Sequence, residues 1–203
     1  ARVLEKEANE RRSPLQFVRE PLNGYPIGLA GEHQRWNAAL ALACLHEAGV
    51  SLSYETVLHG LGSVCWPGRF ERIEQDGAVF VLVGAHNAQG AEALVKTWRQ
   101  EFGDRKCSLI FSAVATKEVR AIASRLEQVA EKVRVCPVDS PRALSLEELA
   151  SAFAGEVACC ATLEQALADA SADGVPVLVA GSLFLIGDAK ARLEGGTWMA
   201  SEQ

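Results

Sequence analysis

The residues best suited to chemistry lie between positions 65 and 89, CWPGRFERIEQDGAVFVLVGAHNAQ. An apolar run over 79–83 drives straight into Gly84-Ala85-His86-Asn87. In an α/β sheet this is where ligands bind: the carboxyl end of a strand, followed by a helix N-terminus with unpaired backbone N–H groups. A histidine delivered to that edge can donate two hydrogen bonds when protonated, enough to hold an anion. Upstream, Arg69 is a permanent cation on a Trp66-Pro67-Gly68 elbow, where proline and glycine fix a turn that neither a helix nor a central strand would continue. The Gly-Ala-His-Asn turn is equally compatible with ordinary strand-to-helix chemistry, Asn87 serving as a cap.

The elements that position these residues follow from periodicity. Residues 70–74 and 78–83 read as two strands joined through Asp76-Gly77, a hairpin signal. A helix over 91–102 follows, with Ala91, Leu94, Val95 and Trp98 at helical spacing. Strands over 107–114, 133–138, 157–160 and 175–180 then alternate with helices over 117–129, 145–154, from Thr162, and over 183–193. Ser145-Leu-Glu-Glu148 and Thr162-Leu-Glu-Gln165 are capping boxes. Strands apolar on both faces, alternating with helices, predict an α/β fold: a Rossmann-like, mainly parallel sheet with an N-terminal β-hairpin and helices on both faces. Ahead of it lies a small helical segment. Residues 1–25 read as a polar connection with at most a short strand at 15–19. The Ala- and Leu-rich run 38–48 predicts a buried helix. A further helix is capped by Ser53 and closed by Gly60 and Gly62.

Composition narrows the function. The chain has 203 residues, 49% apolar, which is ample for a core. Its 26 acidic and 20 basic residues give a net charge of −6, and with no basic stripe this argues against nucleic acid as a partner. No run approaches the ~18 apolar residues of a membrane span, and the N-terminus is charged rather than signal-like. The six cysteines form no CxxC pair. They predict buried free thiols in a reducing cytosol rather than a disulfide or zinc framework, and no metal-ligand set is expected. GxGxxG and GxxxxGK[ST] loops are absent, so a nucleotide bound here needs another domain to hold most of it. The chain starts at Ala1 rather than Met, and is expected to be a processed product or a part of a larger protein.

Five stretches in order resemble one family, the folylpolyglutamate synthases and dihydrofolate synthases of the Mur ligase superfamily. Gly31-Glu32-His33-Gln34-Arg35-Trp36-Asn37-Ala38-Ala39 is similar to the family's G-x-H-Q-x-x-N-A helix start, and Trp66-Pro67-Gly68-Arg69-Phe70-Glu71 to its W-P-G-R-x-E linker. Leu82-Val83-Gly84-Ala85-His86-Asn87 resembles L-D-G-A-H-N; Asp139-Ser140-Pro141-Arg142-Ala143 and the 180–187 stretch around Gly181-Ser182-Leu183 resemble two further blocks. The resemblance implies an ATP-dependent ligase that phosphorylates a folate carboxylate, with magnesium, to an acyl phosphate which the amine of glutamate attacks. It implies that Asn37 contacts the adenine and Arg69 the sugar-phosphate. His86 would lie near the terminal phosphate and incoming glutamate, and Lys117 in the family's D-K-D block, giving His86 and Lys117 as catalytic candidates. Residues 1–64 would be the tail of the N-terminal ATPase domain, 65–69 the interdomain linker, 70–195 the C-terminal Mur ligase-like domain and 196–203 a tail. The partner would be the remainder of the ATPase domain, which carries the P-loop and the magnesium ligands. Val83 stands where the family has an aspartate for the ribose hydroxyls, and Thr116 and Glu118 replace the two acids of D-K-D. The alternatives are a non-catalytic Rossmann-like binding module derived from this family and a Mur-type ligase acting on cell-wall peptides. By themselves, His33 reads as helix-start or interdomain packing, His46 and His59 as helix surface, Ser182 as a cap and Arg142 as a solvated charge.

Overall fold

The computed structural model describes residues 2–115 and 118–196. The charged N-terminal stretch is a helix, α1 (Arg2–Arg11), rather than a connection. Its Glu, Lys, Arg and Ala residues are strong helix formers, and Lys6–Glu10 and Glu7–Arg11 pair one turn apart. Residues 15–19 form no strand. The Ala- and Leu-rich run lies in α2 (His33–Glu47), but only Gln34 and Ala38 are buried there, while Trp36, Leu40 and Leu45 are exposed. The prediction of a buried helix fails because the apolar residues surround the helix instead of forming one stripe, so no single packing face can cover them. Helix α3 (Tyr54–Ser63) starts where predicted, Ser53 Oγ accepting from the Thr56 amide at 3.1 Å, and runs through Gly60 and Gly62 rather than stopping at them. Ala1–Gly28 with Glu32–Val64 form one compact unit; Leu29–Gly31 with Cys65–Gln203 form a second.

The second unit is built on one sheet of β1 (Arg69–Gln75), β2 (Ala78–Val83), β3 (Cys107–Phe111), β4 (Ala130–Val135), β5 (Val157–Cys159) and β6 (Val177–Ala180), in the order β1-β2-β6-β3-β4-β5. Only β1 runs antiparallel. Side chains alternate between two cores. Val81, Leu109, Phe111, Leu178 and Ala180 pack with α4 (Ala88–Phe102), α5 (Val119–Leu126) and α6 (Leu146–Ala150). Phe80, Leu82, Ile110, Val177 and Val179 pack with α7 (Leu163–Ser171) and α8 (Leu183–Leu193). The predicted α/β architecture with helices on both faces is therefore the one observed. Strand β4 ends at Val135, ahead of Pro137, which has no amide to donate. The Ser145–Glu148 capping box is complete. The Thr162 one is half formed: Thr162 Oγ1 accepts from the Gln165 amide, while Gln165 Oε1 accepts from Ala161 at 3.0 Å.

This strand order sends neighbouring loops to opposite faces. From β2 the chain steps outward through β3, β4 and β5 with α4, α5 and α6 on one face. It then returns by α7 on the other face to insert β6 between β2 and β3. Loops leaving β2 and β3 turn toward one face and the loop leaving β6 toward the opposite one, the kind of switch point at which open α/β sheets bind ligands. Toward the amino edge lies a partly buried polar network. Arg134 donates to Asp173 and to Ser108, both at 2.6 Å, and Lys132 donates to Asp173 at 2.6 Å.

Candidate functional site

The turn after β2 carries the histidine to the carboxyl edge. His86 Nδ1 lies 3.0 Å from the Gly84 carbonyl, which can only accept, so Nδ1 holds the hydrogen and Nε2 is the nitrogen left for a ligand. Asn87 caps α4, its Oδ1 accepting from the Gly90 amide at 2.7 Å. Glu118, at the start of α5, accepts from the Ala88 amide at 3.1 Å. Two of the amide groups that an incoming anion would seek at this helix end are thus already engaged. What the edge offers is side-chain charge.

That charge is Arg69. It is exposed, and among the described residues no carboxylate pairs with its guanidinium. The β1–β2 ladder pairs Glu71 with Leu82 and then Arg69 with Val83, leaving Phe70 as an extra residue in a bulge. Phe70 has φ 59°, yet its ring is buried, with the Trp98 and Phe102 ring centroids each 6.3 Å away. Glu71 accepts from the Gly68 amide at 2.8 Å and pairs with Lys190 of α8. Hydrogen bonds to Glu194 and Glu71 hold the Lys190 ammonium above its ordinary range. The Gly84 amide donates to the Gly68 carbonyl at 2.8 Å, so elbow and histidine turn are tied together. Arg69, opposite Val83, and His86, three residues beyond Val83, therefore share one edge.

The loop after β6 completes the rim. A side chain on Gly181, at φ 112°, would stand 2.4 Å from the Ser112 carbonyl and 2.5 Å from the Phe111 ring, so only glycine lets this loop cross the end of β3. Ser182 is a cap as predicted, its Oγ accepting from the Phe184 amide at 3.2 Å. Ser112 is fully buried, and its hydroxyl has no hydrogen-bond partner among the described residues.

Of the residues singled out from sequence, Arg69 and His86 lie at the same end of β2, one across from Val83 and the other three residues after it. Asn37 belongs to the other compact unit, where its side-chain amide donates to Gln34 Oε1 at 2.9 Å. Lys117 and Thr116 lie outside the described residues. Sequence reasoning gave no role to Glu71, although it sits in a quoted motif. It gave none to Lys190, whose partner is 119 residues away and leaves no local signal, nor to Ser112, hidden inside an apolar run.

A family model for the Mur ligase, glutamate ligase domain, matches residues 68–183. The dihydrofolate synthase/folylpolyglutamate synthase of Bacillus subtilis (strain 168) is 32% identical over 176 residues, taking in 82% of this chain and 40% of that protein. A solved structure of Mycobacterium tuberculosis folylpolyglutamate synthase complexed with ADP and AMPPCP matches with a TM-score of 0.82 at 29% identity, covering 95% of this chain and 52% of that one. The bifunctional folylpolyglutamate synthase/dihydrofolate synthase of Yersinia pestis, complexed with AMPPNP and Mn ion, matches with a TM-score of 0.75 at 25% identity over 88% of this chain and 43% of that one. The chain spans about half the length, or less, of the relatives it matches.

Proposed function

Because the chain belongs to the Mur ligase family, as a glutamate ligase domain of the folylpolyglutamate synthase and dihydrofolate synthase group, we propose that it is the C-terminal part of an ATP-dependent ligase joining glutamate to a folate carboxylate. The observation that carries this is the exposed Arg69 guanidinium, which no carboxylate among the described residues pairs with, at the same carboxyl edge as exposed His86. Activating a carboxylate with ATP brings two polyanionic groups together, and pre-placed cations and hydrogen-bond donors are what stabilise such charge. Arg69 holds the sugar-phosphate. His86 presents Nε2 beside the incoming glutamate and donates from it toward the terminal phosphate when the ring carries its second proton, Lys117 adds a second cation, and Asn37 meets the adenine.

In this proposal residues 1–64 are the end of the ATPase domain, 65–69 the linker and 70–195 the glutamate-ligase domain. The exposed Trp36, Leu40 and Leu45 of α2 support it, since an ATPase domain would cover them. Among the described residues no cluster of three or more His, Cys, Asp or Glu side chains is placed to hold a metal ion. The magnesium accompanying ATP is assigned to residues outside this chain, the Mn ion of the Yersinia pestis complex being the corresponding observation in a relative. Among the described residues no helix is long and apolar enough to cross a membrane; a cytoplasmic location is proposed with the activity. Val83 in place of an acid favours the second possibility, a binding module without turnover. One assay separates them: ADP release by the full-length protein given ATP, glutamate and either dihydropteroate or reduced folate. Release requiring both glutamate and the pterin acid supports the ligase; release with neither dependence, or none at all, refutes it.

A further inference from the structure

This inference concerns how Arg69 is aimed, and it rests on the assignment of Arg69 to the nucleotide. Were the β1–β2 register continued past Glu71–Leu82 without a bulge, Phe70 would face Val83 and Arg69 would face Gly84. A one-residue step sends a side chain to the opposite face of the ribbon. Arg69 would then point toward the layer of α7 and α8. The bulge removes that step. Arg69 is instead the cross-strand partner of Val83, whose side chain packs with the α4, α5 and α6 layer, the side on which the His86 turn enters α4.

Keeping the bulge is uphill. At φ 59° Phe70 occupies a conformation that bulges of this kind normally give to glycine. Its buried ring, packed against Trp98 and Phe102, secures one side. The other side is secured by a single carboxylate: Glu71, 14% exposed, accepts from the Gly68 amide just before the bulge and pairs with Lys190 on α8 just after it. A regular hairpin would end β1 without strain or a half-buried ion pair, and such costs persist where the local geometry is used. We infer that Glu71 is a positioning residue for Arg69: held to α8 by Lys190 and to the elbow by Gly68, it fixes the Phe70 bulge and so sets the face on which the guanidinium stands.

The test is a double-mutant cycle in the full-length ligase, using Glu71→Ala, Arg69→Ala and the pair, with KM for ATP, kcat and melting temperature measured for each. Glu71→Ala is expected to raise KM for ATP at least tenfold in the wild-type background and less than twofold in the Arg69→Ala background, where no guanidinium remains to be aimed. Glu71→Gln keeps an acceptor for Gly68 and loses the charge that pairs with Lys190, so it falls between wild type and Glu71→Ala. If Glu71→Ala does not fold, Glu71→Gln and Lys190→Met carry the same comparison. The same fold-loss in both backgrounds shows a role independent of Arg69 and overturns the inference, as does an unchanged KM in Glu71→Ala; either leaves the ligase proposal standing. Full activity in Arg69→Ala overturns the nucleotide assignment, and this inference with it.

Discussion

Replacing Val83 with aspartate tests where the ribose of the nucleotide lies. Val83 is half-buried at the end of β2, directly across from Arg69. A carboxylate there has two suitors. Opposite charges facing one another across an antiparallel pair gain about 0.2–1 kcal/mol, and that attraction draws Arg69 away from phosphate. A hydrogen bond from a ribose hydroxyl to a carboxylate contributes about 1.5–3 kcal/mol. The ribose wins, with a net gain of about 1–2 kcal/mol, or roughly 5- to 30-fold tighter binding. Folding loses the valine's partial burial, on the order of 1 kcal/mol, which is too little to unfold the domain. Calorimetry with a non-hydrolysable ATP analogue on full-length wild type, Val83→Asp and Val83→Asn provides the readout. Asparagine can accept the same hydrogen bond without charge, so its gain is smaller. Affinity unchanged or weakened in a folded Val83→Asp protein refutes the ribose position.

Three further outcomes follow from the packing. Burial works to raise the Asp173 carboxyl, but hydrogen bonds from Arg134, Lys132 and Ser108 outweigh it and set it at about 2, against an ordinary 3.8. A carboxyl depressed on folding stabilises above its unfolded value and loses that contribution as pH falls through the folded one. Urea denaturation should therefore show wild type losing about 2 kcal/mol more than Asp173→Asn between pH 5 and pH 2, and equal slopes contradict the network. Gly181→Ala forces a methyl against the Ser112 carbonyl at positive φ and should cost more than about 2 kcal/mol in chemical denaturation; an unchanged midpoint contradicts the loop crossing. An exposed-thiol reagent at neutral pH should label Cys44, Cys65 and Cys159 quickly, and Cys107, Cys136 and Cys160 only on unfolding. Burial pushes Cys107 and Cys136 up to about 12, so a fourth fast thiol counts against the core as described.

Much of the sheet unit was legible because β2, β3 and β6 are short apolar runs and α4, α6, α7 and α8 each start at a capping side chain. Asp76-Gly77, Ser145, Thr162 and Ser182 all mark real boundaries. Residues 2–11 misled because a helix with no buried face has no apolar stripe, and its ion pairs four residues apart were the signal available. Burial of α2 was beyond the sequence, since composition tells how apolar a helix is and not what it packs against. In the site, His86 and Arg69 were visible as strand-end and elbow residues. The bulge that pairs Arg69 with Val83 was not, because a phenylalanine at positive φ is held there by residues distant in sequence, Trp98 and Lys190 among them. Ser112 gave no sign, since a serine within CSLIFSAV looks like any buried strand residue.

The most direct measurement is steady-state ligation by the full-length enzyme with Arg69 replaced by alanine, alongside its thermal melt. An exposed arginine contributes little to folding, so the melting temperature should move by no more than a few degrees. Losing a cation that grips the nucleotide should lower kcat/KM for ATP by roughly 100-fold or more, about 2.7 kcal/mol of transition-state stabilisation. Activity and stability lost in proportion, or activity retained, would contradict the account of this edge as the anion-handling face of a ligase.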